Sequence, residues 1–456
     1  MKTQKSLILS IVLLAVSTNL FAQPESGFKV EVDPRIELLA VVQSMTKWPE
    51  MGAFTNLDFE YYDDVKKYFA PHQEHPAVQW FDDNLLKGWN FDAPPTAMLH
   101  LSNPPKMKVV IPFSAYLKQR GKGEENLNEM VKLLNQFAKD ADFMKFWNEH
   151  QPFYQEFIGR IKKQAPFDDY TKLMVEFYGE EKGNFVFIPA PLFHAGGYGP
   201  QVKTDKGAIA YNLGGPQYLK DGFPAYKADN LRRLLFHEFG HSFVNPVVYE
   251  HSEELNKYQH YYKYMESTMQ SLSYGDWLTV CHEHLVRTGE TFLLKAAGFP
   301  EEAEDAYHGN FQAYGFKLLP FFSEKMEVYQ KNRDKYQTYR EFFPELIKVL
   351  DEVEWVTEEG PGPMNFAMNL TGDHCKIASI SANTPFAKAG GKEGDFVHEL
   401  NGIKFDGNTY LKLTSIWYEA KIGDKFAVVF IRDGEEIKAE VEVPPGKISK
   451  FVKKKK

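Results

Sequence analysis

The stretch Asp229–Pro246 reads DNLRRLLFHEFGHSFVNP and carries the pattern H-E-x-x-H at His237–His241. Residues four apart on an α-helix share a face, so a helix here aims both imidazoles at one point. Two neutral imidazoles so placed can hold Zn²⁺, with Glu238 as general base toward a metal-bound water. The surroundings favour an interior helix. Leu231, Leu234, Leu235, Phe236 and Phe239 make the segment apolar on more than one side. Asp229 or Asn230 can cap its start, and Pro246 predicts its end. Two histidines and a glutamate buried there without a shared partner would be costly, which favours a metal over a pair of hydrogen-bonded core histidines.

A catalytic zinc takes three protein ligands and keeps one position open. Gly275–Ala297 (GDWLTVCHEHLVRTGETFLLKAA) reads as a second long helix and offers His282, Glu283, His284 and Glu290. Glu283, with Val286-Arg287 following at helical spacing, is the preferred third ligand, and His282 or His284 the next. Arg287, one turn on, would hold the ligand carboxylate. Hydrolysis also needs a donor for the developing oxyanion, for which His194, Tyr198, Tyr211, Tyr307, His308 and Tyr314 are candidates.

The chain has 456 residues, too many for one ordinary core, and its 43% hydrophobic and 15% aromatic content suits well-filled interiors. Residues 1–22 read as a cleaved secretory signal: Lys2 and Lys5, the apolar run Leu7–Val16, then Phe21-Ala22-Gln23 as cleavage point. No cysteine follows that point to carry a lipid, so the expected address is periplasmic or secreted. Cys281 and Cys375 fall in regions that read as separate domains and are expected as free thiols. No later stretch suits a membrane span. A formal charge of −9 argues against nucleic acid as partner. The tail Lys447, Lys450 and Lys453–Lys456 (447–456) reads as a solvated, frayed end.

In chain order, Phe28–Val32 alternates like a strand, and Arg35–Ser44, Tyr61–Phe69 and Pro76–Leu86 read as helices. Lys108–Phe113 (KVVIPF) reads as a strand. Glu124–Ala165 is mainly helical, and Asp168–Tyr178 adds another helix. Asn184–Ile188 and Ala208–Leu213 read as strands joined by a glycine-rich loop around Gly196-Gly197-Tyr198-Gly199. One of those two strands is the expected sheet edge on which an extended peptide adds itself. Pro300–Asp351 is helical and aromatic-rich.

At this point a resemblance can be named. Residues 28–350 look like a secreted zincin of the gluzincin type, two histidines of H-E-x-x-H plus a downstream glutamate. More closely, LFHEFGHSFVNP, EHLVR and the YGF…YQKNR…Y…FFP run resemble an uncharacterised bacterial family, a domain of unknown function described as metallopeptidase-like. The metzincin pattern is absent, because Val244 and Val247 stand where it needs Gly and His. The thermolysin-like pattern is also departed from: His282 precedes the candidate ligand Glu283 and Arg287 follows it four residues on.

Val353–Met364 (353–364) is acidic, then rich in Gly and Pro, and reads as a linker after a catalytic domain at 23–352. Residues 365–446 change texture. Asn401-Gly402 and Asp433-Gly434 are hairpin turn signals, and Thr409–Ala420 is an amphipathic helix. This part closely resembles a bacterial PDZ domain, a module that binds peptide termini or extended peptides as an added strand. The resemblance puts its carboxylate-binding loop at Gly362–Met368 and makes either a peptide terminus or the chain's own catalytic domain its partner. The expected fold class is α+β: a mostly helical zincin-like domain with a small mixed sheet, then a small β-rich PDZ-like domain. The expected function is zinc-dependent hydrolysis of peptides or proteins. The alternative is a non-catalytic peptide-binding protein that keeps the scaffold, against which the intact Glu238 argues.

Overall fold

The computed structural model describes residues 27–205, 207–368, 375–405 and 410–455, so the signal segment expected at 1–22 lies outside them. The fold is α+β. Helices α1 (Pro34–Ser44), α2 (Glu60–Phe69), α3 (Pro76–Leu85), α4 (Ala93–Leu99), α5 (Ala115–Arg120), α6 (Glu124–Asp140), α7 (Phe143–Glu149), α8 (Gln151–Lys162) and α9 (Phe167–Tyr178) form the N-terminal part. They interlock through aromatic rings: Phe69, Phe137, Phe143, Phe146, Tyr154 and Phe157 are fully buried. Lys108–Phe113 is not a strand; only Val109 bridges, to Leu101, and Val110 stays exposed. Its apolar run finds no neighbouring strand to pair with.

The mixed sheet contains β1 (Phe28–Val30), β2 (Asn184–Pro189), β3 (Gly197–Tyr198), β4 (Gln201–Thr204) and β5 (Gly207–Gly214). β1, β2 and β5 run parallel in that order, and β3 and β4 pair antiparallel with the far side of β5. The two strands expected as the peptide-binding edge, β2 and β5, are therefore interior. Their side chains explain this, since β2 is buried along nearly its whole length, as a covered parallel strand must be. The loop between β2 and β5, around Gly196–Gly199, supplies the edge strands instead. A small hairpin, β6 (Tyr218–Lys220) and β7 (Phe223–Ala225), leads into the central helix.

That helix, α10 (Ala228–Glu250), begins without a side-chain cap and continues through Pro246 for another turn. Pro246 removes one hydrogen bond, but Val244, Val247 and Val248 around it are fully buried and hold the helix past it. After α11 (Ser252–Asn256) and α12 (Glu266–Ser271), α13 (Trp277–Ala296) packs along α10. Next come α14 (Pro300–His308), a π-helical turn at Gly309–Ala313, α15 (Leu319–Lys331), α16 (Tyr339–Ile347) and α17 (Val349–Glu352).

The expected linker is a strand. β8 (Val353–Pro361) runs into the C-terminal unit of β9 (Phe366–Met368), β10 (Ile377–Ile380), α18 (Pro385–Lys388), β11 (Phe396–Leu400), β12 (Ile403–Lys404), α19 (Tyr410–Glu419), β13 (Lys425–Arg432) and β14 (Glu435–Glu442). The chain then returns as β15 (Pro445–Lys453), which pairs antiparallel with β8 from Pro445↔Pro361 to Lys453↔Val353. The basic tail is thus mostly strand. Its lysines face the acids of β8 and α15, with Lys450 Nζ 2.6 Å from a Glu358 oxygen and Lys453 paired to Glu324. Phe451 and Trp355 insert against Tyr261 and Tyr264, so the ribbon belongs to the first core. The C-terminal unit has its own core around Phe386, Val397, Trp417 and Phe430. Its helix α19 rests on α14 and the π turn. Both expected hairpin turns form, with positive φ at Asn401, Gly402, Asp433 and Gly434. Among the described residues, no helix is long and apolar enough to cross a membrane.

Candidate metal centre

Two helical stripes face each other. Arg233, His237, His241 and Asn245 follow one another at four-residue spacing on α10, and Glu283, Arg287 and Glu290 share a face of α13. His237, His241 and Glu283 bring one ligand atom each to within 4.8 Å of one another, a cluster able to hold a metal ion. Glu283 Oε2 lies 3.5 Å from His237 Nε2, and Oε1 lies 3.5 Å from His241 Nε2.

The outer nitrogens are already engaged. His237 Nδ1 is 3.3 Å from Glu290 Oε2, and His241 Nδ1 is 3.1 Å from Asn245 Oδ1. A carboxylate and an amide oxygen are acceptors, so each Nδ1 carries the proton and each Nε2 presents a lone pair. Two lone pairs then face an anionic carboxylate in a buried site, and the buried Glu283 Oε2 makes no well-aligned hydrogen bond. Acceptors do not converge on one another without a cation between them, so the donor set fits a metal ion. Nitrogen and carboxylate oxygen in this combination fit zinc.

The electrostatics of the two histidines differ: against burial and Arg287, the carboxylates Glu290, Glu283 and Glu238 raise His237 above its ordinary value, as an anionic pocket draws positive charge to itself. Burial pushes His241 down to about 4 against the pull of Glu283, which keeps it in the neutral form a ligand needs. Glu283 sits at about 2, because His237, His241 and Arg287 together outweigh burial. Arg287 Nη2 lies 3.3 Å from Glu283 Oε2 and 3.2 Å from Tyr274 Oη, Nη1 donates to Asn310 Oδ1 at 2.9 Å, and the guanidinium stacks over Phe316. Glu290 is likewise at about 2, since Arg233 and His237 oppose burial, and it accepts from Arg233 Nε at 2.8 Å. Burial raises Glu238 to about 7, with His237 opposing and Glu283 adding to the rise. A carboxylate near 7 suits proton transfer in both directions at neutral pH.

β3 lies directly over Glu238. A Cβ on Gly197 would sit 3.3 Å from Glu238 Cγ, and one on Gly199 2.2 Å from the Glu238 carbonyl oxygen. The glycine-rich stretch is therefore a close approach of strand to helix. The Gly215 amide donates to Gly196 O, so Gly197 forms a non-hydrogen-bonded pair with Gly214 and turns its own N–H and C=O away from β5.

The other candidates sort themselves by geometry. His284 has both nitrogens occupied, by Val280 O at 2.8 Å and the Leu318 amide at 3.3 Å. His282 packs on Tyr249 with ring centroids 4.7 Å apart. His194 takes the Gly196 amide on Nδ1 and meets Tyr198 Oη at 2.9 Å through Nε2. Tyr314 lies beside Arg287 and is 41% exposed. Tyr211 is on the sheet face opposite Asn212, which donates to Leu234 O on α10; the charges acting on Tyr211 are those of Arg35, Asp33 and Glu31. Tyr307 stacks on Phe311 and faces Glu324 and Glu419. Neither tyrosine joins the cluster. Sequence reasoning missed Arg233 and Asn245, although the four-residue spacing from the histidines pointed to both. It weighed Glu290 only as a ligand. Tyr274 and Asn310 carried no local signal.

Residues 28–349 match a family described as a domain of unknown function, DUF4932, and residues 362–443 match the PDZ domain. No curated protein matches the chain. Among solved structures, an HtrA-type protease, AlgWS227A with decapeptide, is 16% identical at a TM-score of 0.17, over 19% of this chain and 30% of that one. An aminopeptidase N family protein from Idiomarina loihiensis is 11% identical at a TM-score of 0.25, over 64% of each chain. This chain thus spans less than two thirds of either structure's length.

Proposed function

This chain belongs to the DUF4932 family and carries a PDZ domain, a peptide-binding module, behind it; from that premise we propose that it is a zinc-dependent peptide-bond hydrolase. The observation that carries the reading is the grouping of His237, His241 and Glu283, one ligand atom each within 4.8 Å of one another, with Glu238 buried beside them on the same helix. His237, His241 and Glu283 would hold the ion, which when bound supplies Lewis acidity toward a carbonyl and toward water.

The chain's own residues do the rest. Glu290 and Asn245 hold the two Nδ1 protons, so the imidazoles keep their orientation. Arg287 keeps Glu283 anionic. Glu238, buried one residue past His237, takes the proton from the attacking water at a carboxylate oxygen and returns it to the leaving amine nitrogen. β3 has no strand on its outer side among the described residues, and the outward N–H and C=O of Gly197 suit an extended peptide laid antiparallel beside it.

Zinc content of the purified chain and cleavage of a peptide library test this together. The expected result is one zinc per chain, lost in His237→Ala and weakened in Glu283→Ala. Glu238→Gln should keep its zinc and lose cleavage by a factor of about 10² or more. Cleavage that survives Glu238→Gln would overturn the mechanism. Peptide binding without turnover in a zinc-loaded wild type would leave a binding protein.

A further inference from the structure

Arg233 stands one helical turn before His237, on the same face of α10. Its Nε is committed to Glu290 Oε1 at 2.8 Å, and that carboxylate is itself engaged with His237. The two Nη groups make no protein hydrogen bond among the described residues, while the side chain is 32% exposed and its carboxylate partner only 2%. A guanidinium offers five donors in a planar fork, and here Nε alone is held while the side chain keeps about a third of its surface exposed. The neighbouring Arg232 is the contrast, since Glu302 takes both its Nε and its Nη2 and Phe299 covers it. Tyr314, exposed and 5.8 Å from Arg287 by its ring centroid, is one of the groups acting on Arg233 and so lies near both arginines. Arg287, the other cation of the site, turns Nη1 to Asn310 and Nη2 to Glu283 and Tyr274, and its Nε is buried.

We propose that Arg233 is a specificity-determining residue whose Nη fork binds a carboxylate of the peptide substrate. The match is chemical, because a planar fork with two parallel N–H vectors pairs with a carboxylate bidentately. It is also metrical. One helical turn rises about 5.4 Å, and an extended peptide advances about 3.4 Å per residue. The carboxylate therefore belongs to a group within two residues of the bond held at the metal. An acidic side chain and a free C-terminus present the same group at that distance. The inference rests on the peptide-hydrolase reading for the position of the substrate, but its test does not need cleavage.

The test uses the full-length, zinc-loaded Glu238→Gln chain and fluorescence anisotropy with labelled hexapeptides. Each position in turn carries Glu or Gln, and each peptide is made with a free or an amidated C-terminus. The expected result is one pair in which the carboxylate form binds about tenfold tighter or better. A Glu/Gln pair assigns an acidic side chain; a free/amidated pair assigns the C-terminus. Adding Arg233→Gln should bring the ratio to within about twofold of one, with zinc content measured alongside. Arg233→Lys keeps a charge for Glu290 without the fork, so it should shrink the ratio even if the glutamine variant loses metal. No discriminating pair, or a preference that persists in both variants, would overturn the proposal. A preference in a chain whose wild type cuts no peptide would sustain it and remove the hydrolase reading.

Discussion

Gly199 has to be a glycine because of what lies beneath it. A Cβ there would meet the Glu238 carbonyl oxygen at 2.2 Å and Oε2 at 2.9 Å, so the strand or the helix would have to move. Gly199→Ala should cost about 1–3 kcal/mol of stability and reduce peptide hydrolysis with it, as followed by thermal unfolding and library cleavage. Gly159 in α8 is the control, since nothing lies within 4 Å of its added Cβ; alanine there should be neutral or stabilising. Glu290 gives a second expectation. Its carboxylate holds His237 Nδ1 and neutralises Arg233 from a fully buried position. Glu290→Gln should weaken zinc binding about 10–100-fold, read by competition with a chelator, while His241 and Glu283 still retain some metal. Equal zinc affinity in the two chains would remove Glu290 from the site. These residues show what was legible. The grouping of His237 with His241 could be read because helical spacing puts both on one face; Glu283 was one of four candidates on α13, and its place beside them depends on how the two helices pack. Tyr274 and Asn310 could not be read, since they reach Arg287 from other parts of the fold.

Between helices, one buried acid makes a pH prediction. Glu37 of α1 is fully buried; Oε2 accepts from Tyr61 of α2 at 2.6 Å, and Tyr61 meets Tyr154 of α8 at 2.8 Å, so three helices share one polar link. Burial raises Glu37 from 4.5 to about 8, with Tyr61 opposing and Asp33 adding to the rise. The folded state therefore binds this proton more tightly than the unfolded chain. The contribution is fully present below about 4.5 and is lost as pH rises toward about 8, with a slope of up to about 1.4 kcal/mol per pH unit. Glu37→Gln should flatten this part of the profile, gaining on the wild type more at pH 8 than at pH 5 in urea unfolding. A gap that does not change with pH would show Glu37 ionised throughout. The elements themselves were legible where period and length agreed, as in α6, α10, α13, β2 and β5. Their neighbours were not. Whether β5 is an edge or an interior strand depends on β3 and β4 folding back onto it, and a proline inside α10 is tolerated only because other elements bury the helix around it.

At the scale of the whole molecule, the PDZ domain is inserted between the two strands of a ribbon rather than hung on a linker. The matched domain spans 362–443, β8 enters it, and β15 leaves it to pair back along β8. Composition hid this, because a Gly- and Pro-containing acidic stretch and a lysine tail each look solvated when read alone. Across the ribbon they are complementary, with Lys450 against Glu358 and the apolar alternates Trp355 and Phe451 turned inward. Phe451 is 5% exposed and packs on Tyr261 and Tyr264, so residues beyond the PDZ domain complete the core of the unit before it. Phe451→Ala should then destabilise the unit before the PDZ domain by about 2–4 kcal/mol while sparing the PDZ core around Trp417 and Phe430. Hydrogen exchange read peptide by peptide separates the two. Faster exchange in Tyr258–Tyr264 and in β8, with β13 and β14 unchanged, is the expected pattern. If exchange changes only in residues 445–455, the strand contributes nothing to the core it touches, and the PDZ domain is tethered at one end alone.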